Sequence, residues 1–167
     1  MTKSLVVAAA LLTAPFALAA CDAPSDEPDV VSKQLQDADL PIEDALSAVD
    51  EAAPDAIVIE AEFQSGVDAG YYEVLAIEGE DLIVFEVEAS RPAVAFEVER
   101  RRADEERLAR ARRHRHLRRR LAAALADMTD RRAGERIRLA RLLPSEIVVE
   151  LLDRRGNARR IRQALAD

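Results

Sequence analysis

Alternation of apolar and polar residues between positions 57 and 99 is the feature that most limits the fold of this chain. Four short runs show it, at Ile57 to Phe63, Tyr71 to Ile77, Leu82 to Glu88 and Val94 to Glu99. A period of two with β-branched and aromatic residues is typical of strands with one buried face. The connections carry Gly, Asp or Pro, as turns require. The sequence therefore predicts an antiparallel meander of three to four strands.

The two faces of this predicted sheet differ in chemistry. One face is expected to be apolar and the other solvated and anionic, as is common in antiparallel sheets. The apolar set is Ile83, Phe85, Val87, Val94, Phe96 and Val98, and the anionic set includes Glu86, Glu88, Glu97 and Glu99. Glutamates two apart, such as Glu60 and Glu62, would point the same way at about 7 Å spacing. An acid–base pair and a calcium site are the alternatives there, but no Asp-rich loop or nearby nucleophile accompanies these glutamates, so a solvated face is favoured.

A helix is predicted directly before the first strand. Pro41 suits the first turn, and Glu43 and Asp44 lie near the positive end of the helix dipole. Four apolar residues share one face of this helix, namely Ile42, Ala45, Leu46 and Val49. This face is expected to pack on the apolar side of the sheet.

A helix followed by such a meander resembles the PepSY domain, a small α+β module of exported and membrane proteins. The resemblance rests on the segments ALSAVDEAAPDA, IVIEAEF, YYEVLAI and LIVFEVE, and it covers about Leu40 to Glu99. The family usually closes its last strand with a Thr-Gly-like turn and a short hydrophobic end, whereas this chain has ASRPAVAFEVER. The resemblance implies roles such as restraining a peptidase or sensing in the cell envelope.

The first twenty residues predict an export signal. Lys3 precedes an apolar run from Leu5 to Leu12, Pro15 interrupts it, and an acidic stretch follows. This arrangement is typical of a signal peptide. It does not suit a spanning helix, which needs about 20 continuous apolar residues.

The end of the leader, Leu18-Ala19-Ala20-Cys21, resembles the lipobox of bacterial lipoproteins. That resemblance implies cleavage between Ala20 and Cys21 and a diacylglyceryl group on the Cys21 thiol. Cys21 is the only cysteine, so it has no partner for an internal disulfide. Two or three acyl chains would give stable membrane anchoring. An ordinary signal-peptidase site is the alternative. Asp22 resembles the sorting residue that keeps enteric lipoproteins in the inner membrane, which favours a periplasm-facing, inner-membrane location.

Charge divides the mature chain into an acidic and a basic half. From Asp22 to Glu99 there are 22 acidic residues against Lys33 and Arg91, a net charge of −20. From Arg100 to Asp167 there are 21 arginines against 10 acidic residues, a net charge of +11. The predicted organisation is a signal peptide at 1–20, a flexible acidic tether at 21–39, the α+β domain at 40–99 and a basic, mainly helical extension at 100–167.

The extension is expected to be helical because it is rich in good helix formers and carries a narrow apolar stripe. The pattern predicts a strand at EIVVELL. The last segment, DRRGNARRIRQALAD, is expected to form either the return strand of a short hairpin or a final helix. IVVELLDRRGN weakly echoes YYEVLAIEGED, so a degenerate second PepSY-like unit is a further option.

Arginines between 100 and 120 are candidates for contact with an anionic surface. They are Arg100, Arg101, Arg102, Arg112, Arg113, Arg118, Arg119 and Arg120. Export argues against nucleic acid as the partner. Either the basic helix lies on anionic lipid, or it covers the anionic sheet face of its own chain.

No motif of the chain predicts catalysis or a cofactor. His114 and His116 are two residues apart, which places them on different faces of a helix, and they lie among arginines that repel a divalent cation. No Gly-rich phosphate loop, G-x-S-x-G or H-E-x-x-H is present. We therefore expect no enzyme, no metal and no cofactor.

Two functions are compatible with these features. The favoured one is an exported, lipid-anchored binding or regulatory module that acts on a peptidase or another envelope protein. The alternative is a structural envelope protein whose Arg-rich helix binds the anionic membrane surface or an anionic polymer.

Overall fold

One seven-stranded antiparallel sheet forms the centre of the protein, in the order β4-β3-β2-β1-β5-β6-β7. The structure is a computed structural model that describes residues 30–113, 120–126, 128 and 132–165. The strands are β1 (Ile57–Gln64), β2 (Tyr71–Glu78), β3 (Asp81–Glu88), β4 (Ala95–Arg102), β5 (Arg136–Leu142), β6 (Glu146–Leu152) and β7 (Ala158–Ala164). The described helices are α1 (Val30–Asp37), α2 (Ile42–Ala52), α3 (Glu105–Arg113) and α4 (Arg120–Ala126).

The predicted fold class, a sheet of three to four strands followed by an Arg-rich helical extension, is wrong. Strands β5, β6 and β7 come from that extension and complete the same sheet. Arginine is a good helix former, and this hid the alternation of RIRLARL in β5. A register shift between Ile137 and Leu139 further breaks the period of two.

The helix and the first three strands lie close to the predicted positions. Helix α2 buries the four expected residues, Ile42, Ala45, Leu46 and Val49. It begins after Pro41, which is extended, and its first turn carries Glu43 and Asp44. These elements have strong local periodicity, and the periodicity matches what the tertiary structure buries.

The predicted orientation of β4 is wrong. Phe96 pairs with Glu86, so its side chain shares a face with that carboxylate and not with Phe85. Phe85 instead pairs with Glu97. Strand β4 lies at the edge of the sheet, where little burial fixes which face is apolar, and its register with β3 shifts between Glu97 and Glu99. Val94, Phe96 and Val98 are consequently exposed.

Helices α1, α2 and α4 cover one face of the sheet, which we term the covered face. Its core includes Leu35, Leu46 and Leu125 from the helices together with residues from both ends of the sheet. Phe63 and Tyr72 pack edge to face with ring centroids 5.4 Å apart. The buried Tyr72 hydroxyl donates a 2.8 Å hydrogen bond to the Leu40 carbonyl. A single core therefore joins the acidic and basic halves of the chain.

Helix α1 corrects the extent of the predicted tether at 21–39. Leu35 is fully buried, and Ser32 donates to the Asp153 carbonyl at 3.2 Å. Gln36 donates to the Leu152 carbonyl at the same distance. Residues 30–37 are thus part of the fold, and residues 21–29 lie outside the described part of the chain.

The opposite face, which we term the open face, is covered only at one end by the described helices. There Leu108 and Ala111 of α3 pack on Ile57, Ile77 and neighbouring apolar residues. The rest of this face carries charged side chains, among them Glu62, Glu73 and Arg138, together with the buried Leu139 and Val148.

The sheet has an approximate internal two-fold relation. Strands β1 and β5 pair antiparallel with Ala61 opposite Ala140, and Glu60 opposite Arg141. Both strands shift register at equivalent places, and the β2–β3 and β6–β7 turns each contain a glycine of positive φ, Gly79 and Gly156. The sequence echo between YYEVLAIEGED and IVVELLDRRGN falls on the equivalent strands β2 and β6.

Candidate functional site

Three glutamates stand side by side on the open face. Glu62 on β1 pairs with Glu73 on β2, and Glu73 pairs with Glu86 on β3. We term these residues the carboxylate row. Directly opposed side chains on antiparallel strands have Cβ atoms about 5 Å apart, and like charges there destabilise the sheet. In this protein, like-charged side chains therefore oppose one another across three neighbouring strands.

Glu73, in the middle of the row, has a raised pKa. Burial is the largest cause, and the neighbouring carboxylates Glu62, Glu60 and Glu86 also raise the pKa of this group. Removing a half-buried carboxylate from water and surrounding it with like charges both disfavour its ionised form. The row is therefore a centre of negative potential.

Replacing Glu73 with glutamine is expected to raise the free energy of unfolding at neutral pH by about 0.2 to 1 kcal/mol, because it removes a like-charge contact. A raised pKa in the folded state means that protonation of Glu73 favours folding. The stability that protonation provides is present below the ordinary pKa of 4.5 and is lost as pH rises through the folded-state pKa. The advantage of the variant should thus grow as pH rises from the ordinary pKa of 4.5 through the raised folded-state pKa of Glu73.

Urea denaturation across this pH range measures the effect. Glu51→Gln, which removes a charge from an exposed position on α2, is the matched control. A Glu73→Gln protein that is less stable than the wild type at neutral pH would contradict the prediction.

Arginines from the basic half neutralise one end of the row. Arg138 donates to Glu62 at 2.8 Å and lies 3.4 Å from Glu150, and Arg141 donates to Glu60 at 2.6 Å. The hydrogen bond with Glu60 is the main cause of the raised pKa of Arg141. Within the described residues, Glu73 and Glu86 form no salt bridge. The uncompensated charge is thus concentrated on β2 and β3.

A groove borders this uncompensated end of the row. It has a volume of about 460 Å³ and is lined by both acidic and apolar side chains. Phe96 is 55% exposed, and Val67 is fully exposed. The lining residues are Val67, Asp68, Ala69, Gly70, Tyr71, Glu86, Glu88, Ser90 and Phe96.

The β1–β2 loop that forms one wall of the groove is held in place. Gln34 of α1 binds Gly66 through two hydrogen bonds, donating to its carbonyl at 3.0 Å and accepting from its N–H at 3.1 Å. A Cβ at Gly70 would lie 1.9 Å from the Phe63 ring, so only glycine permits this approach. The wall is therefore built before any partner arrives, which limits the entropy cost of binding.

The predicted arginine contacts are dispersed. Arg100, Arg101 and Arg102 lie on β4, not on a helix, and pair with Glu78, Glu99 and Glu80. Arg112 and Arg113 are exposed on α3, and Arg120 begins α4. The other predicted positions, Ala20, Cys21, Asp22, Arg118 and Arg119, lie outside the described residues, as do His114 and His116, at which no metal site is expected.

Sequence reasoning identified Glu62 and Glu86 as open-face residues but missed Glu73 and the groove. The positions of Tyr71, Glu73 and Leu75, each two residues apart, could have placed Glu73 on the open face. No local pattern indicates the groove, because it combines the β1–β2 loop with Phe96 on β4.

The described residues contain neither a membrane-spanning helix nor a cluster of metal ligands. None of the described helices combines the length and apolarity that crossing a membrane requires. The described residues also contain no group of three His, Cys, Asp or Glu side chains suited to a metal ion.

Comparison with known proteins leaves the family open. No protein-family model and no curated protein matches the chain, so the PepSY resemblance is not confirmed. A solved structure similar to the chain is described as "a putative lipoprotein" from Clostridium difficile 630. It is 12% identical, the match covers 78% of this chain and 97% of that chain, and the TM-score is 0.41. A likeness of this strength carries no argument about function.

Proposed function

We propose that this protein is an exported, lipid-anchored module of the cell envelope that binds a cationic, extended segment of a partner protein in the open-face groove. The export signal and the lipobox-like Leu18 to Cys21 support the location. The observation that carries the binding proposal is the position of Phe96, which is exposed and directly paired with Glu86, at the uncompensated end of the carboxylate row.

The chemistry of the groove selects the partner. Glu86 and Glu88 offer charge to lysine or arginine, while Phe96, Tyr71 and Val67 offer apolar and aromatic contact. Aromatic faces also attract cations. An extended segment with alternating basic and apolar residues would contact both the carboxylates and the apolar side chains of the groove. An envelope peptidase restrained through such a segment is the kind of partner that the PepSY resemblance implies.

The alternative, an Arg-rich surface that binds an anionic membrane or polymer, has less support. Three of its predicted arginines already pair with glutamates of the same chain, and further arginines on β5 and β7 do so too. Neutralised arginines attract an anionic surface weakly.

Binding of a fluorescent peptide of alternating lysine and valine tests the proposal by anisotropy at physiological salt. We expect Glu86→Gln combined with Glu88→Gln to weaken binding by about tenfold or more, equivalent to about 1.4 kcal/mol. Phe96→Ala should weaken it as well, whereas Val30→Ala, at an exposed valine on α1, should not.

The matched control for charge is Glu43→Gln combined with Glu51→Gln on α2, which removes the same charge from the covered side. Equal weakening by both double variants would show attraction to net charge alone and would overturn the proposed site. A peptide with glutamate in place of lysine should not bind.

A further inference from the structure

Strand β4 leaves one side of its backbone unpaired by the described strands. It is the terminal strand of the sheet and pairs only with β3. Every residue from Phe96 to Arg102 is exposed. A further strand can pair with an edge of this kind, because its outward N–H and C=O groups can form hydrogen bonds with another chain.

The two edges of the sheet differ in how they meet solvent. At the other edge, Arg160 and Arg162 of β7 pair with Glu150 and Glu146 of the neighbouring β6. Among the described residues, large exposed apolar side chains are absent from β7 but present on and beside β4. Val94, Phe96 and Val98 are 45%, 55% and 51% exposed. The β4 edge is therefore the one suited to association.

Charge along β4 is arranged in two opposite halves. The sequence AFEVERRR places Glu97 and Glu99 in the first half and Arg100, Arg101 and Arg102 in the second. In an antiparallel pair of two such strands, the acidic half of each meets the basic half of the other. A parallel pair would place like charges together. This self-complementarity is what a two-fold interface between identical chains requires.

We infer that two copies of this protein pair through β4, antiparallel, and join their sheets into one. The arginines of β4 can take part because their present pairs are exposed. Arg101 and Glu99 are 3.3 Å apart with side chains 57% and 50% exposed, and Arg102 and Glu80 are 79% and 62% exposed. Exposed pairs contribute about 1 kcal/mol or less, so exchanging partners across the interface costs little.

The association is expected to be weak in solution. Two eight-residue strands that meet edge to edge bury less than the roughly 1,200 Å² of a stable interface. Confinement to a membrane would raise the effective concentration and favour the pair. Only this enhancement rests on the proposed lipid anchor, and the pairing itself does not.

Cysteine trapping tests the pairing in the mature chain with Cys21→Ser. With the two-fold axis between positions 98 and 99, Glu97 of each copy lies opposite Arg100 of the other, and the two Val98 side chains lie close to the axis but on opposite faces of the sheet. Because a direct disulfide does not suit this geometry, Val98→Cys is treated with a short flexible bismaleimide linker, and we expect a covalent dimer. Val67→Cys, at a fully exposed valine on the β1–β2 loop, is the matched control and should give at most about a tenth as much. Equal yields from the two variants would overturn the inference.

Charge reversal gives an independent test in the Val98→Cys background. Glu97→Arg with Glu99→Arg makes β4 wholly basic, and Arg101→Glu with Arg102→Glu makes its end acidic. Each alone should reduce the dimer severalfold, and a mixture of the two should restore it as a heterodimer. No recovery in the mixture would count against the antiparallel pairing.

A charge-reversal variant of β4 could lose the dimer simply because it fails to fold. Sedimentation equilibrium of the protein without the Val98→Cys substitution or any charge reversal avoids this ambiguity. An apparent mass that rises toward two chains supports the pairing, and a monomer up to about 1 mM, where a weak complex should form, overturns it. Peptide binding by Glu86 and Glu88 is measured separately, so the failure of either proposal is distinguishable from that of the other.

Discussion

Replacing Leu151 with alanine is expected to lower the free energy of unfolding by about 2 to 5 kcal/mol, the range for a large aliphatic side chain removed from a core. Leu151 lies on β6 and is fully buried in the cluster that also holds Leu35 and Phe63. Because one core spans both halves, the variant should shift a single cooperative unfolding transition, which urea denaturation followed by circular dichroism measures.

Two companion variants make this result interpretable. Leu46→Ala on α2, at a site 2% exposed, should shift the same transition although it lies in the acidic half. Val67→Ala, at a fully exposed site, should change stability by less than about 0.5 kcal/mol. Two separate transitions, only one of which responds to Leu151→Ala, would show that the halves fold independently.

Replacing Cys21 with serine is expected to move nearly all of the protein from the membrane fraction to the soluble fraction. The thiol is the proposed point of lipid attachment, and each acyl methylene contributes about 0.8 kcal/mol to membrane binding. Loss of the lipid therefore removes the proposed anchor. Fractionation followed by immunoblotting measures the distribution.

A second cysteine variant separates the thiol from its sequence context. In Cys21→Ser with Ser25→Cys, the chain again has one cysteine, but the Leu-Ala-Ala sequence no longer precedes it, so membrane attachment should not return. Mass spectrometry of the wild type should find Cys21, carrying lipid, as the first residue. An unmodified start, or full-length soluble protein with its leader attached, would contradict the anchor.

Part of the opposite charge of the two halves is compensated between neighbouring strands of the sheet. The sequence predicts that the basic half lies on lipid as a helix or covers the anionic face. In the structure, β5 lies beside β1, and Arg138 and Arg141 neutralise Glu62 and Glu60 laterally. This compensation does not extend to Glu73 and Glu86, which is why the candidate site lies on β2 and β3.

The sequence by itself determined the elements whose local pattern agrees with their surroundings. Helix α2 and strands β1 to β3 repeat with the period of the structure that they form, and their apolar faces are the buried ones. The export signal and the lipobox-like segment are likewise local patterns, and they remain predictions from sequence.

Only the tertiary structure decided which strands became neighbours. The contacts between Arg138 and Glu62, and between Arg141 and Glu60, join residues 76 and 81 positions apart. Local periodicity carries no information about such pairing, and arginine-rich strands resemble helices by propensity alone. The orientation of Phe96 depended on the register of an edge strand, which is set by pairing with β3 because burial there is slight. The site arises from these long-range contacts, so some of its residues could be identified from the sequence, but their arrangement and the groove could not.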